Sequence, residues 1–365
     1  MRSETLKTRG FCLSAACLVV SLIGFWPTVG LGDASGLQTY IAVDVVGQSG
    51  ARQKDEPPDR LSVREAEVFF FGPIDPVFDG TLGLAAHQEK GKAFVELHEA
   101  TIGSSKWIPY SRFRLGQYFL GVGKLNATHR HDWPFISAPR VHREFFGDEG
   151  VSDTGLEYSL APPLEWPLDL TLGVTNGWTF GHTHSEGKKP QVPAHYARVS
   201  SFVSLPSDGG LQISANYLGR KDSEGLAMLL VGLDLTMKWR NGRQVPFLLQ
   251  GEAWWRELKP RDGDASRSAG FYVFPQVHII QNINFGVLYD GYTILNLRDV
   301  VGKDVDNYDQ GIAPTLTWKP SEFVTFRGNF RWVLTNPDGK ATRLSNSFAE
   351  MQTVFLLGAH PAHDF

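Results

Sequence analysis

A chain of 365 residues is long enough for one or two ordinary domains. Its 35 Lys and Arg against 39 Asp and Glu give a formal charge of −4, which offers nucleic acid no basic surface. Its two cysteines, Cys12 and Cys17, both lie near the start, so no disulfide framework holds the remainder together.

The first ten residues carry Arg2, Lys7 and Arg9. An uncharged run follows, Phe11 to Trp26, and then Pro27 and a small-residue site at Gly32-Asp33-Ala34. A basic start, an apolar stretch and a small-x-small site predict a secretory signal peptide over residues 1–34. The run is too short for a confident membrane helix, and no later stretch approaches the length of one. The mature chain, 35–365, is then a secreted protein without cysteine.

From there on, helical periodicity is almost absent and alternation recurs. Residues 168–175, LDLTLGVT, set Leu168, Leu170, Leu172 and Val174 against Asp169, Thr171, Gly173 and Thr175. Residues 231–240, VGLDLTMKWR, and 324–332, VTFRGNFRW, behave alike. Each is a strand with one apolar and one polar face. In chain order the predicted strands are 37–46, 60–72, 79–88, 92–102, 111–123, 151–161, 166–178, 195–205, 210–219, 226–240, 243–257, 268–277, 282–292, 308–319, 322–334 and 347–359.

A soluble sandwich also alternates, so the connections must decide. After even-numbered strands they are mostly short and rich in Pro, Gly, Asn and Asp, the residues of tight turns. After odd-numbered strands most are long: 47–59, 124–150, 179–194, 258–267, 293–307 and 335–346. Sixteen strands with loops sorted this way predict an all-β fold: a transmembrane antiparallel barrel with short periplasmic turns and long external loops. Trp239 and Trp318 fall at the periplasmic ends of their strands, and Trp178, Trp255 and Trp332 at the external ends, as interfacial girdles require. In lipid the sheet must close, and the last strand is expected to pair with the first.

A barrel of this size encloses a lumen lined by the polar parity of each strand. That parity holds Arg198, Asp234, Lys238, Arg240, Glu252, Arg256, Arg327 and Arg331, with Asp169 and Asp290. Both signs appear, so the residues leave open whether they select ions or merely wet a channel. The connection 124–150, KLNATHRHDWPFISAPRVHREFFGDEG, is too apolar for a solvated loop. Trp133, Phe135, Phe145 and Phe146 need somewhere to pack, so it is expected to fold into the barrel and narrow it. Arg130, Arg140, Arg143 and Asp132 are the candidate constriction residues. Guanidinium groups there suit an anion, while Asp132, Glu144, Asp148 and Glu149 offer local ion pairs instead.

His129, His131 and His142 share that loop, and His182 and His184 lie in the next external one. His-x-His on an extended chain turns both imidazoles to one side, which suits a metal or, equally, ordinary hydrogen bonds. His360 and His363 are expected at the opposite rim. No HExxH, G-x-S-x-G or phosphate-loop context is present, so neither an enzyme nor a cofactor is expected.

The stretch VREAEVFFFGPIDPVFDGTLGLA, the HEATIG segment and RFRLGQYFLGVGKLNATHRHDWPFISAPRVHREFFGDEGVSDTGLEYSLAPP resemble the phosphate-selective porin group, porin O and P type. More closely they are similar to porin-like outer-membrane proteins labelled zinc-regulated outer-membrane receptors. The resemblance implies a sixteen-stranded barrel in the bacterial outer membrane of a Gram-negative cell. It also implies diffusion of small hydrophilic solutes or ions, with a homotrimer among the assemblies such proteins form. The alternative it carries is a metal- or ligand-binding barrel with a loop-blocked lumen. A terminal strand ending at Phe365 resembles the sorting signal read by the barrel-assembly machinery, although His363 stands where an apolar residue is usual.

Overall fold

Alternation over eight to sixteen residues can satisfy a backbone only by pairing with neighbours, and the computed structural model shows that pairing carried right round a ring. It describes residues 36–50, 61–89, 92–177, 190–242, 244–296, 307–336, 343–344 and 347–358. The strands are β1 (Gln38–Gly50), β2 (Ser62–Pro73), β3 (Asp79–Glu89), β4 (Lys92–Ser104), β5 (Ser111–Phe119), β6 (Ser152–Leu160), β7 (Leu168–Thr175) and β8 (Pro190–Leu205). They continue as β9 (Gly209–Asp222), β10 (Ala227–Asn241), β11 (Gln244–Lys259), β12 (Ser266–Ile280), β13 (Ile283–Ile294), β14 (Tyr308–Trp318), β15 (Val324–Asn336) and β16 (Phe348–Gly358). Each pairs antiparallel with its sequence neighbours, and Arg343–Leu344 adds a two-residue ladder to β15. β1 pairs with β16 from Tyr40↔Gly358 to Gly50↔Phe348, which closes the barrel.

All sixteen predicted strands are present. The fifth ends at Phe119 rather than 123, because the chain turns inward there: Leu120 N–H donates to the Val151 carbonyl at 3.0 Å. Turns at one end are short. The β8–β9 turn places Ser207 and Asp208 at positive φ, the twist that tight hairpins need. Residues 1–34, Trp178, His182, His184, His360, His363 and Phe365 lie outside the described residues.

Parity decides what faces out. Leu233 is 60% exposed and Asp234 beside it 2%. Leu115, Leu156, Leu172, Ile213, Leu316, Phe326 and Met351 are likewise exposed on a contiguous exterior. Among the described residues no helix is long and apolar enough to cross a membrane; the strands do so. A closed sheet with an apolar outer face and buried polar inner parity is a lipid-facing barrel of outer-membrane type. Trp239 and Trp318 sit at the turn end, with Trp107 and Trp166 exposed in turns beside them; Trp255 and Trp332 sit at the loop end.

Inside, charges are paired across strands. Arg114 meets Glu157 at 2.8 Å, Arg198 meets Asp234 at 3.0 Å and Arg331 meets Asp290 at 2.6 Å. Arg64 pairs with Asp44, and Arg327 donates to Gln352 at 2.7 Å. The bore departs from a wholly aqueous channel. Leu218, Leu230, Trp254, Phe274 and Leu288 point inward and form one buried apolar cluster with residues of segment 120–151.

Candidate functional site

The neck of segment 120–151 is held by one side chain. The Asn126 amide donates to the Leu120 and Val151 carbonyls at 2.8 and 3.3 Å, and its Oδ1 accepts from Val151 N–H at 2.6 Å. Nothing in the spacing of Asn126-Ala127-Thr128 announces that role.

Beyond the neck the segment crosses the interior and touches the wall on several sides. Glu252 Oε1 on β11 accepts from Lys124 and Leu125 N–H at 3.1 and 2.7 Å, and Trp254 Nε1 and Tyr272 Oη hold the same carboxylate at 2.7 and 3.1 Å. Asn216 on β9 accepts from Gly123 N–H at 2.8 Å. Gly123 must be glycine here: its φ is +68, and a Cβ would stand 2.7 Å from Glu252 Oε2. Across the bore Arg64 donates to the Ile136 carbonyl at 2.7 Å, and Ser137 bonds Glu350. Arg140 N–H donates to Asp290 at 2.5 Å and Arg256 to the Glu144 carbonyl at 2.7 Å.

Within this frame a short helix, α1 (Arg140–Phe146), ends at Gly147 with φ 87. Its Val141 and Phe145, one turn apart, bury against the wall, Phe145 edge-on to Tyr292 at 5.9 Å. Phe146 meets Trp254 at 4.9 Å. Trp133, Phe135 and Ile136 are fully buried, so hydrophobic burial as well as hydrogen bonding seats the segment.

The sequence-predicted residues separate into groups. Arg130 pairs with Glu149 at 3.0 Å; Arg140 pairs with Glu144 at 2.9 Å and Asp309 at 3.2 Å. Arg143 is exposed and, among the described residues, makes no ion pair. Arg198, Asp234, Glu252, Arg256, Arg327 and Arg331 lie inside, and Arg240 is exposed at the turn end. His142 lies apart from His129 and His131. It is buried between Trp133 and Phe146, and neither ring nitrogen has a hydrogen-bond partner among the described residues. Burial, with Arg130 nearby, pushes its pKa down to about 3, so it is a neutral ring in an apolar pocket.

Two features join residues predicted above to others that strand-by-strand reading passed over. Toward the turn end, below the segment, lies a cavity of about 350 Å³. Lys124, Lys238, Lys319, Arg327 and His278 line it, against one acid, Asp132. Arg327 is 7% exposed, and its Nε has no hydrogen-bond partner among the described residues.

The second feature is a histidine–carboxylate cluster on the β2–β4 wall. Two register breaks crowd polar side chains there. The β1–β2 ladder shifts so that Arg64 is an extra residue beside Glu65, and the β3–β4 ladder shifts so that His98 has no opposite number. Glu67 lies among three histidines: His98 Nδ1 at 2.9 Å, His129 Nδ1 at 3.2 Å and His131 Nδ1 at 2.6 Å, the last outside hydrogen-bond geometry. His131 Nε2 is 3.1 Å from Asp132. His129 and His131 stack at 5.7 Å although the backbone between them is a 3-10 turn, Arg130–Asp132, rather than extended. Tyr40, Phe69 and Phe119 wall the cluster with ring contacts. Inward His87 and His98 on strands facing the His129-x-His131 loop were the signal available in the sequence.

No family model matches the chain. A protein of Aquifex aeolicus, described only as uncharacterized, is 25% identical over 342 residues, covering 84% of this chain and 70% of that protein. Solved structures share the fold at low identity. A loop L8 deletion mutant of the outer-membrane protein OmpT of Vibrio cholerae matches with TM-score 0.61 and 8% identity, over 88% of this chain and 99% of that one. The outer-membrane channel DcaP of Acinetobacter baumannii gives 0.60 at 9%, over 88% and 96%. An anion-selective porin from Comamonas acidovorans gives 0.58 at 10%, over 88% and 99%. The architecture is therefore that of outer-membrane porins.

Proposed function

We propose that this chain is a bacterial outer-membrane channel for small hydrophilic solutes, anion-preferring, with its bore narrowed by segment 120–151. The observation that carries the anion preference is the cavity at the turn end, the periplasmic side in this reading. Cations outnumber acids on its lining, and they are held in a low-dielectric cup that strengthens their field. Similarly folded proteins, a channel and an anion-selective porin, support the same class. OmpT of Vibrio cholerae is described in a trimer form, which supports a homotrimer as the assembly to look for. The terminal strand in the closing position supports recognition of the C-terminus by barrel-assembly machinery.

A second reading has its own observation. Trp133, Phe135 and Ile136 are fully buried, and inner-parity residues on most strands are buried too. This supports a barrel held shut by the segment, one that binds rather than passes its ligand.

Reversal potentials across a salt gradient test the first reading. The wild type is expected to favour chloride over potassium, and the double variant Lys238→Glu, Arg327→Glu to lose that preference or invert it. An unchanged permeability ratio would remove the cavity from the selectivity mechanism. Conductance steps absent in the wild type but present once the segment is excised would favour the second reading.

A further inference from the structure

The geometry points to a binding site for one divalent transition-metal ion inside the barrel, formed by Glu65, His87 and His98 of the wall and Glu149 of the inserted segment. Each of the four offers one ligand atom, and those atoms lie within 4.8 Å of one another. His87 Nε2 stands 3.1 Å from His98 Nε2, His87 Nδ1 3.5 Å from Glu149 Oε1, and His98 Nδ1 3.5 Å from Glu65 Oε1. Two donors on one tetrahedral ion, each about 2.0–2.1 Å from it, are separated by about 3.4 Å. The two Nε2 atoms already stand close to that spacing; Glu65 and Glu149 now lie beside the opposite ring nitrogens, and with one ligand atom of each residue within 4.8 Å of the others, side-chain rotation brings the carboxylates to a common ion.

The surroundings fit as well. Glu65 is 3% exposed, and its Oε2 has no hydrogen-bond partner among the described residues. A carboxylate oxygen buried without a donor is costly unless a cation faces it. Glu67 sits 2.9 Å from His98 Nδ1, so it takes that N–H and leaves the Nε2 lone pair directed at the site. This is the outer carboxylate that metal-bound histidines commonly have. Glu149 is in turn held by Arg130 at 3.0 Å. The bulge at His98 is where the β3–β4 ladder breaks, the kind of irregularity that re-aims a side chain.

Two imidazoles with two carboxylates suit zinc, cobalt, nickel, iron or manganese. Calcium and magnesium prefer oxygen alone, and copper(I) prefers sulfur. Because three ligands belong to the wall and one to the segment, a bound ion also pins the segment to β2–β4. His142 takes no part, and the inference rests on the wall cluster whether or not the barrel conducts.

The test uses the full-length mature protein, refolded in detergent, stripped with chelator and dialysed against zinc or cobalt. One equivalent is expected to remain bound, with cobalt giving visible d–d bands of a four-coordinate site. The double variant His87→Gln, His98→Gln is expected to lose at least about a hundredfold in affinity, and Glu67→Gln about 10–100-fold. His195→Gln, on β8 and bonded to the Tyr217 hydroxyl at 2.9 Å, is expected to bind as the wild type does. Heat-modified gel migration reports whether each barrel is folded; if the double variant is not, His87→Gln alone decides, since His87 lies at the edge of the cluster. A folded wild type that retains no metal would overturn the site, and so would affinity untouched by His87→Gln and Glu65→Gln, which would put the ion elsewhere.

Discussion

Excising residues 127–149 and linking Asn126 to Gly150 through two glycines is expected to raise single-channel conductance in planar bilayers several-fold. The expectation follows from what that segment occupies. Trp133, Phe135, Ile136, Val141, Phe145 and Phe146 all lie buried within the ring of strands. The cut is permitted because Gly150 already lies against Asn126, which stays to hold Leu120 and Val151. The wall does not depend on the insert. β5 and β6 pair from Ser111↔Leu160 to Phe119↔Ser152, and closure runs through β1 and β16 elsewhere in the ring. The excised barrel is expected to fold, with lower thermal stability, since inward Leu218, Leu230 and Leu288 lose their apolar partners. Equal conductance before and after excision would mean that the segment does not obstruct the path.

Trp133→Ala is the strongest single substitution of this kind. Trp133 is fully buried, donates its indole N–H to the Thr128 carbonyl at 2.9 Å, and packs on Phe135 and His142. Truncating a buried tryptophan costs about 3–5 kcal/mol. That cost falls on the docked segment and not on the strand ladders, so the segment loosens while the barrel persists. Faster proteolysis within 124–150 and more frequent open events are expected, with the folded gel migration retained. Leu233→Ala on the lipid face is the comparison: lipid fills the space beside it, and neither readout should move. If Trp133→Ala protects the segment as well as the wild type does, burial of that ring is not what seats it.

How much of this was legible in the sequence depended on whether a feature had a period. Strand parity has a period of two, so Leu233 outside and Asp234 inside could be read directly, as could the sorting of short and long connections. The inward fate of residues 124–150 was legible from Trp133, Phe135, Phe145 and Phe146, which no solvated loop would carry. What the segment docks against was not. Glu252 looks like any polar wall residue until Gly123 turns Lys124 and Leu125 onto it. The cluster around Glu67 depends on register breaks at Arg64 and His98, and a bulge has no signature in an alternating run because it shifts the alternation by one residue. His142 shares its loop with His129 and His131, yet α1 carries it into the apolar cluster. Loop histidines close in sequence are sorted by backbone direction, and composition does not record that.

The central claim is that the odd residues of 231–236 meet lipid and the even ones meet a packed interior crossed by the inserted segment. Residues 35–365 contain no cysteine, so in that stretch single cysteines at 231 and 233–236 can each carry a nitroxide in bilayers; Gly232 is left unchanged because a Cβ there would meet the Trp254 ring at 2.3 Å. Oxygen collision rates should oscillate with period two, high at 231, 233 and 235 and low at 234 and 236, with a water-soluble nickel complex reaching neither set well. High oxygen access at the even positions, or free nickel access at 231, 233 and 235, would contradict it.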